Sequence, residues 1–441
     1  MQLNKCLISV VTLAVLISGC SRKEEILQGE RLDLRASKGE TAGVTDETAL
    51  NAANGQAISL PAMRSNASWT HRNGTTAHAI SHPALSTTPT LRWSRDIGTG
   101  TTARLRVSSD PVVADGRVFT LDADGRLSAF STSGGAVWSV DISAPTDTKD
   151  SISGGGLAYG DGILVATTGY GEVYAMDPAT GTKRWSHRVH ASVSSAPLVT
   201  NGKAILIAGN NKAVALELSN GRIAWEKDTA QSGAGVIGTG SPAAAGKITY
   251  LPFATGEISA NLMDSGLQLW TQVVSGYRLG SARGFVDAFS GEPVVSGDVV
   301  YAGKQSGRLT ALNRRTGERL WTIKEGALGP VWPVGNSLFV VTDENKLKRL
   351  NASDGSVIWS QDLPQYKNAK RKRGAYAHYG PVVAGGRVIV AGSDGQLRSF
   401  DPTNGNLVAS TSIPSGAASQ PAIAGGVLYI LSNKGQLHAF Q

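Results

Sequence analysis

Three histidines, His71, His78 and His82, fall within the stretch NASWTHRNGTTAHAISH, and clustered imidazoles are common ligands for zinc. A metal site would also need Cys or carboxylate partners, and a helix to bring His78 and His82 onto one face. The stretch offers neither, so it is expected to pack on the folded body as a plug, with Trp69 as its anchor. Glu172, Asp287 and Asp343 stand singly near turns, which is no arrangement for paired acid–base chemistry. The run Lys367-Asn-Ala-Lys370-Arg371-Lys372-Arg373 gathers five cations in seven residues. It reads as a solvated loop or as a contact for something anionic, lipopolysaccharide or an acidic partner. The net charge of +8 agrees with anionic attraction without naming its object.

Thiol chemistry is limited to two cysteines. Cys6 opens an apolar run to Ile17 behind Lys5, too short to span a bilayer and shaped like a secretory signal. The run ends in Ile17-Ser18-Gly19-Cys20, an aliphatic residue, two small ones and a thiol, which resembles the bacterial lipobox. That resemblance makes residues 1–19 a lipoprotein signal peptide and Cys20 the lipidated N-terminus. Ser21, in place of Asp, implies the periplasmic face of the outer membrane. No thiol then remains for a disulfide, a metal or catalysis, and the compartment excludes nucleic acid. Residues 20–63 follow as a flexible tether rich in charge, Ala, Gly and Ser. Such a coil spans roughly 35 Å on average.

These side chains must be placed by repeated elements. Ala129, Ala175, Ala215, Ala260, Ala311, Arg349, Ser399 and Ala439 occupy one position of eight copies, and four residues before each lies Gly or Asn. About ten residues later stand Trp138, Trp185, Trp225, Trp270, Trp321, Trp359 and finally Ala409, each four residues after a glycine. With a further turn ahead of each copy, three turns separate four short strands of strand-length apolar runs, such as Arg117-Val-Phe-Thr-Leu. The period of about 44 residues is that of a propeller blade. Eight copies of the first three strands but seven of the fourth leave one outer strand to find, and Thr90-Leu-Arg-Trp93-Ser-Arg-Asp at the front supplies it.

The expected fold is all-β: an eight-bladed β-propeller of four-stranded antiparallel blades over residues 90–441, closed by an N-terminal strand that completes the last blade. Residues 64–89 are expected to pack on it. The tryptophans are expected to wedge between blades, with Ala409 marking a softer seam. Trp69 lies outside the repeat and is expected to matter less than Trp270. Three fourth-to-first-strand links are long, at residues 229–241, 275–291 and 363–379, and two of them flank blade four.

Tryptophan-docked repeats of this kind resemble those of the quinoprotein alcohol dehydrogenases, which would imply pyrroloquinoline quinone and calcium on the axis. This chain lacks their long insertions and vicinal cysteine pair, so no cofactor and no enzyme activity is expected. The lipobox, tether and eight blades, with stretches such as GKQSGRLTALNRRTGERLW and DENKLKRLNASDGSVIW, resemble the BamB family. Those are lipoprotein subunits of the complex that assembles β-barrels into the bacterial outer membrane. The resemblance implies a scaffold that binds the periplasmic domains of BamA, other subunits being further partners, through the links before blades four and five. In the family the first link carries Leu-x-Leu-Arg; here it reads Ala234-Gly235-Val236-Ile237, with Ile237 at the arginine position. The second keeps Arg283 and Asp287. The alternative is a periplasmic propeller that binds a saccharide or another envelope ligand.

Overall fold

The computed structural model describes residues 56–143, 154–193, 195–230, 240–278 and 288–441. In blade one the strands are Val112–Ala114, Arg117–Leu121, Arg126–Ser131 and Ala136–Asp141, here called A to D from the axis outward. Asp115 and Gly116 join A to B, both at positive φ (50° and 70°), as a two-residue hairpin turn of this hand requires. Burial falls outward, from strand A, buried throughout, to strand D, half-buried or exposed at every residue, so the core lies between the inner strands of neighbouring sheets. Eight four-stranded antiparallel sheets repeat this order.

Blade eight is completed as the strand count requires. Its sheet runs Leu91–Asp96, Gln436–Phe440, Val427–Leu431, Ala422–Ala424 from the rim inward. Thr90 and Gln441 exchange backbone hydrogen bonds of 3.0 and 2.9 Å across the junction of the two chain ends.

Each strand-D tryptophan docks on the next blade. A Cβ on Gly317 would lie 2.6 Å from Trp270, and one on Gly405 would lie 2.7 Å from Trp359. The glycines between strands C and D therefore serve two needs, the turn and the face of an indole. The indole N–H then donates to a carbonyl of that same turn: Trp270 to Arg314 at 3.1 Å, Trp359 to Pro402 at 3.1 Å. Ala409 now has a physical reason. Its blade faces blade eight, where strands C and D belong to opposite chain ends and no C–D turn exists to receive an indole.

The N-terminal segment does more than lie on the disc. From Asn66 to Pro83 it visits the inner strand of every blade. Gly425 N–H donates to Asn66 O, Trp69 and Val113 bond in both directions, and Tyr159 N–H donates to Thr70 O. Val199 N–H meets His71 Nε2 at 3.0 Å, while Ala244 and Val295 N–H reach Thr76 O and Ala77 O. Asn73 Nδ2 donates to Val331 O, and Gly385 N–H to Pro83 O. Backbone groups on an inner edge must find partners, and this plug provides them. At blade six the middle residue of strand A is Pro333, which has no N–H to satisfy.

The packed segment also begins earlier than residue 64. Gln56 O and Ala57 O accept from Arg349, at 2.7 and 3.1 Å, so part of the stretch read as tether is seated on blade six. Trp69 is not a minor anchor either: it is 2% exposed against 8% for Trp270, and stacks on Trp332 at 6.3 Å and 16°.

Candidate functional site

Strands A and C run in one direction and B and D in the other. A–B and C–D turns therefore share one face of the disc, and B–C turns and D–A links share the other, the link face. Of the residues singled out in the sequence, Cys20, Val236, Ile237, Arg283 and Asp287 lie outside the described residues. Lys367, Lys370, Arg371, Lys372 and Arg373 are described and exposed on the link face.

The described stems of the two links beside blade four are fixed to that face. Asn211, in the B–C turn of blade three, donates from Nδ2 to Thr229 Oγ1 and to Ala230 O, both at 2.7 Å. Its Oδ1 accepts from Ala254 N–H at 2.8 Å. Arg278, at the start of the other link, bonds Asp343 through Nε at 3.0 Å and Nη2 at 3.1 Å, and pairs with Glu344 at 3.2 Å. Asp343 also accepts from Gly326 N–H at 2.8 Å, so one carboxylate binds the links into and out of blade five. Asp343 read as an isolated turn acid because its partner is 65 residues away, beyond the reach of local spacing.

The link between blades six and seven is not an open loop. Tyr366–Asn368 pairs with Arg373–Ala375 as a two-stranded hairpin. Gln365 Nε2 donates to Glu344 O, and Ala377 and Ser393 bond reciprocally, so B–C turns of two blades brace its stem.

The axis carries charge. Asp110 and Glu292 sit two residues before Val112 and Val294 of strand A, in blades one and five, which face one another across the ring. Arg72 of the plug spans between them, with Nε 2.7 Å from Asp110 and Nη1 2.5 Å from Glu292. Burial pushes the Asp110 carboxyl up against the pull of Arg72, and pushes Glu292 up to about 7. Burial also lowers His71 to about 4 and, helped by His71 and Arg72, His78 to about 3. His71 and His78 work as neutral hydrogen-bonding groups. His71 accepts at Nε2, His78 Nδ1 donates to Pro293 O, and His82 accepts from Gly386 N–H and donates to Pro61 O.

These shifts oppose one another. Unfolded His71 and His78 gain protons below about 6.5 that the native ones refuse, so their contribution is lost on acidification. Native Glu292 takes up a proton below about 7, which the unfolded chain does only near 4.5, so its contribution grows on acidification. Glu292→Gln is therefore expected to lose stability relative to the parent by about 1 kcal/mol per unit as pH falls from 7 to 5. Urea unfolding at pH 7, 6 and 5 checks this, and parallel curves would mean an ionised Glu292.

A ring of tryptophan-docked blades, stoppered along its axis by its own N-terminal segment and carrying long links on one face, defines a rigid scaffold propeller. Among known proteins, the sequence model described as outer membrane protein assembly factor BamB matches residues 84–148, 124–361 and 347–441. The chain belongs to that family. The protein of this name from Yersinia pestis is 27% identical over 362 residues, covering 80% of this chain and 88% of its own. The one from Escherichia coli K12 is 25% identical over 360 residues, with the same coverages. In the crystal structure of BamB from Moraxella catarrhalis the alignment covers 80% of this chain and 99% of that one, with a TM-score of 0.66 at 18% identity. A europium-containing methanol dehydrogenase aligns at a TM-score of 0.62 and 15% identity, covering 82% of this chain and 89% of its own. The propeller is thus shared with enzymes, and the fold alone does not decide catalysis. Among the described residues, no helix is long and apolar enough to cross a membrane.

Proposed function

We propose that the chain is a non-catalytic scaffold of the outer-membrane β-barrel assembly machine. Acylated Cys20 holds it at the periplasmic face of the outer membrane. Residues 1–19 are its signal peptide, a tether follows, and the blades of residues 90–441 grip the periplasmic domains of BamA. The grip lies on the links beside blade four, where Val236 and Ile237 supply an apolar centre and Arg283 and Asp287 a charged margin.

The observation that carries the reading is apolar surface concentrated at that blade. Five of the twelve large hydrophobic residues exposed among the described ones are Leu262, Leu267, Leu269, Val273 and Tyr277. Leu269, Val273 and Tyr277 follow strand D of blade four into the stem of the next link, while Leu262 and Leu267 flank its C–D turn on the opposite face. At the corresponding place blade two carries Lys183, Arg184, His187 and Arg188. Clustered apolar surface of this kind marks a place that another protein covers.

Ile237→Asp together with Arg283→Glu is expected to abolish co-purification with BamA and leave the Tm essentially unchanged, because both positions lie on links. Retention of BamA by the double variant would overturn the patch.

A further inference from the structure

We propose that the basic hairpin, Tyr366–Asn368 with Arg373–Ala375, is a second docking element that receives an acidic protein surface of the same assembly machine. The proposal rests on the membership argued above and adds a contact separate from the links at blade four.

Neighbouring acids do not neutralise its charge. Lys367, Lys370, Arg371, Lys372 and Arg373 are all exposed, and among the described residues no carboxylate pairs with them. The acids nearby are engaged by cations of the blades: Asp343 and Glu344 by Arg278, Glu325 by Lys348, Asp394 by Arg398, Asp362 by Lys346. Five charges on one short hairpin are therefore left for something outside the chain. The hairpin is also held in one shape. Arg371 N–H donates to Asn368 Oδ1 at 3.0 Å, and Lys372 closes the tip at φ 47°. Braces at Gln365, Ala377 and Ser393 fix its base to blades six and seven. A rigid mount means that little ordering entropy is lost on docking.

Position and composition decide between a protein and a lipid surface. The first described residues, Gln56, Ala57 and Ser59, are seated on the opposite face. Arg349, which holds Gln56 O and Ala57 O, also bonds Ser337 beside the A–B turn of blade six and Thr403 O in the C–D turn of blade seven. Ser59 O lies against Gly335 of that A–B turn. The hairpin projects from the link face, the face of the two links beside blade four. Its tip, Asn368-Ala369-Lys370-Arg371-Lys372-Arg373-Gly374, has no large apolar residue to insert among acyl chains. A strongly basic, preformed projection on a partner-facing side fits a carboxylate-rich protein surface, where such charges speed association and set orientation.

The test uses the assembly complex isolated from a strain lacking this chain, immobilised, with the full chain in solution. One variant carries Lys370→Ser, Arg371→Ser, Lys372→Asn and Arg373→Ser, the Asn chosen to tolerate positive φ. It should bind about tenfold more weakly than the parent, chiefly through slower association, and lose most of its salt dependence. A second variant exchanges each of these four lysines and arginines for the other; it should bind as the parent does, which separates charge from hairpin shape. Equal binding by the neutralised variant and the parent overturns the hairpin and leaves the family reading intact. A parent that does not bind the complex at all overturns both. Parallel titrations use mixed phosphatidylglycerol–phosphatidylethanolamine vesicles. If neutralisation removes vesicle binding but not binding to the complex, the hairpin is a lipid contact and the proposal falls.

Discussion

Removing residues 88–96 should leave a chain that no longer unfolds in one cooperative transition. The strand Leu91–Asp96 makes five residue pairs with Gln436–Phe440, and Ser94 Oγ meets His438 Nδ1 at 2.7 Å. Without it the edge of blade eight is bare, and blade one loses Trp93, whose ring lies under Gly134. Each lost backbone bond nets about 1 kcal/mol, and truncating a large aromatic about 3–5. The sum is on the scale of a whole domain's stability, about 5–15 kcal/mol. The same deletion with a turn copied from Thr403-Asn404-Gly405 and a second Leu91–Asp96 appended after Gln441 should recover the transition. A deleted chain that melts like its parent would show that closure contributes little.

Much of this was legible because a propeller repeats its constraints. Eight turn glycines or asparagines and seven strand-D tryptophans, counting Trp93, announce one unit over and over, and the missing eighth outer strand points to the front of the chain. What escaped reading is the part that occurs once. Arg349 stands in a row otherwise of Ala and Ser, and this oddity was the available signal that something extra is seated on blade six. The plug has no period because each of its residues answers a different blade: Thr70 answers blade two, Thr76 blade four and Pro83 blade seven. Neither strand nor helix periodicity can encode a path around a ring. The basic hairpin hid for a related reason. Both its faces meet solvent, so the alternation that betrays a half-buried strand is absent. The axial trio was hidden by distance, since Arg72 and Glu292 are 220 residues apart.

Trp69→Ala should cost about 3–5 kcal/mol, at least as much as Trp270→Ala, though Trp69 belongs to no repeat. Trp69 is the more buried of the two and stacks on Trp332. A Cβ on Gly74 would lie 3.2 Å from its ring, so the plug's own 3-10 turn is folded over it. The consequences should also differ in kind. Trp270 secures the seam between blades four and five, and its loss should loosen that seam first. Trp69 secures the segment that bonds strand A, or the residue next to it, in every blade, so its loss should release amides far from the substitution. Urea unfolding gives the free energies, and hydrogen exchange at the amides of Tyr159, Val199, Ala244 and Val295, which all donate to the plug, gives the pattern. Those amides should exchange faster in Trp69→Ala than in Trp270→Ala. If they stay protected and Trp270→Ala proves the costlier, the blades hold themselves in register and the plug merely fills the hole. The expected result makes the plug a working part of the ring. On the proposed anchoring through Cys20, a pull on the chain would then be shared by the whole ring and not borne by one blade.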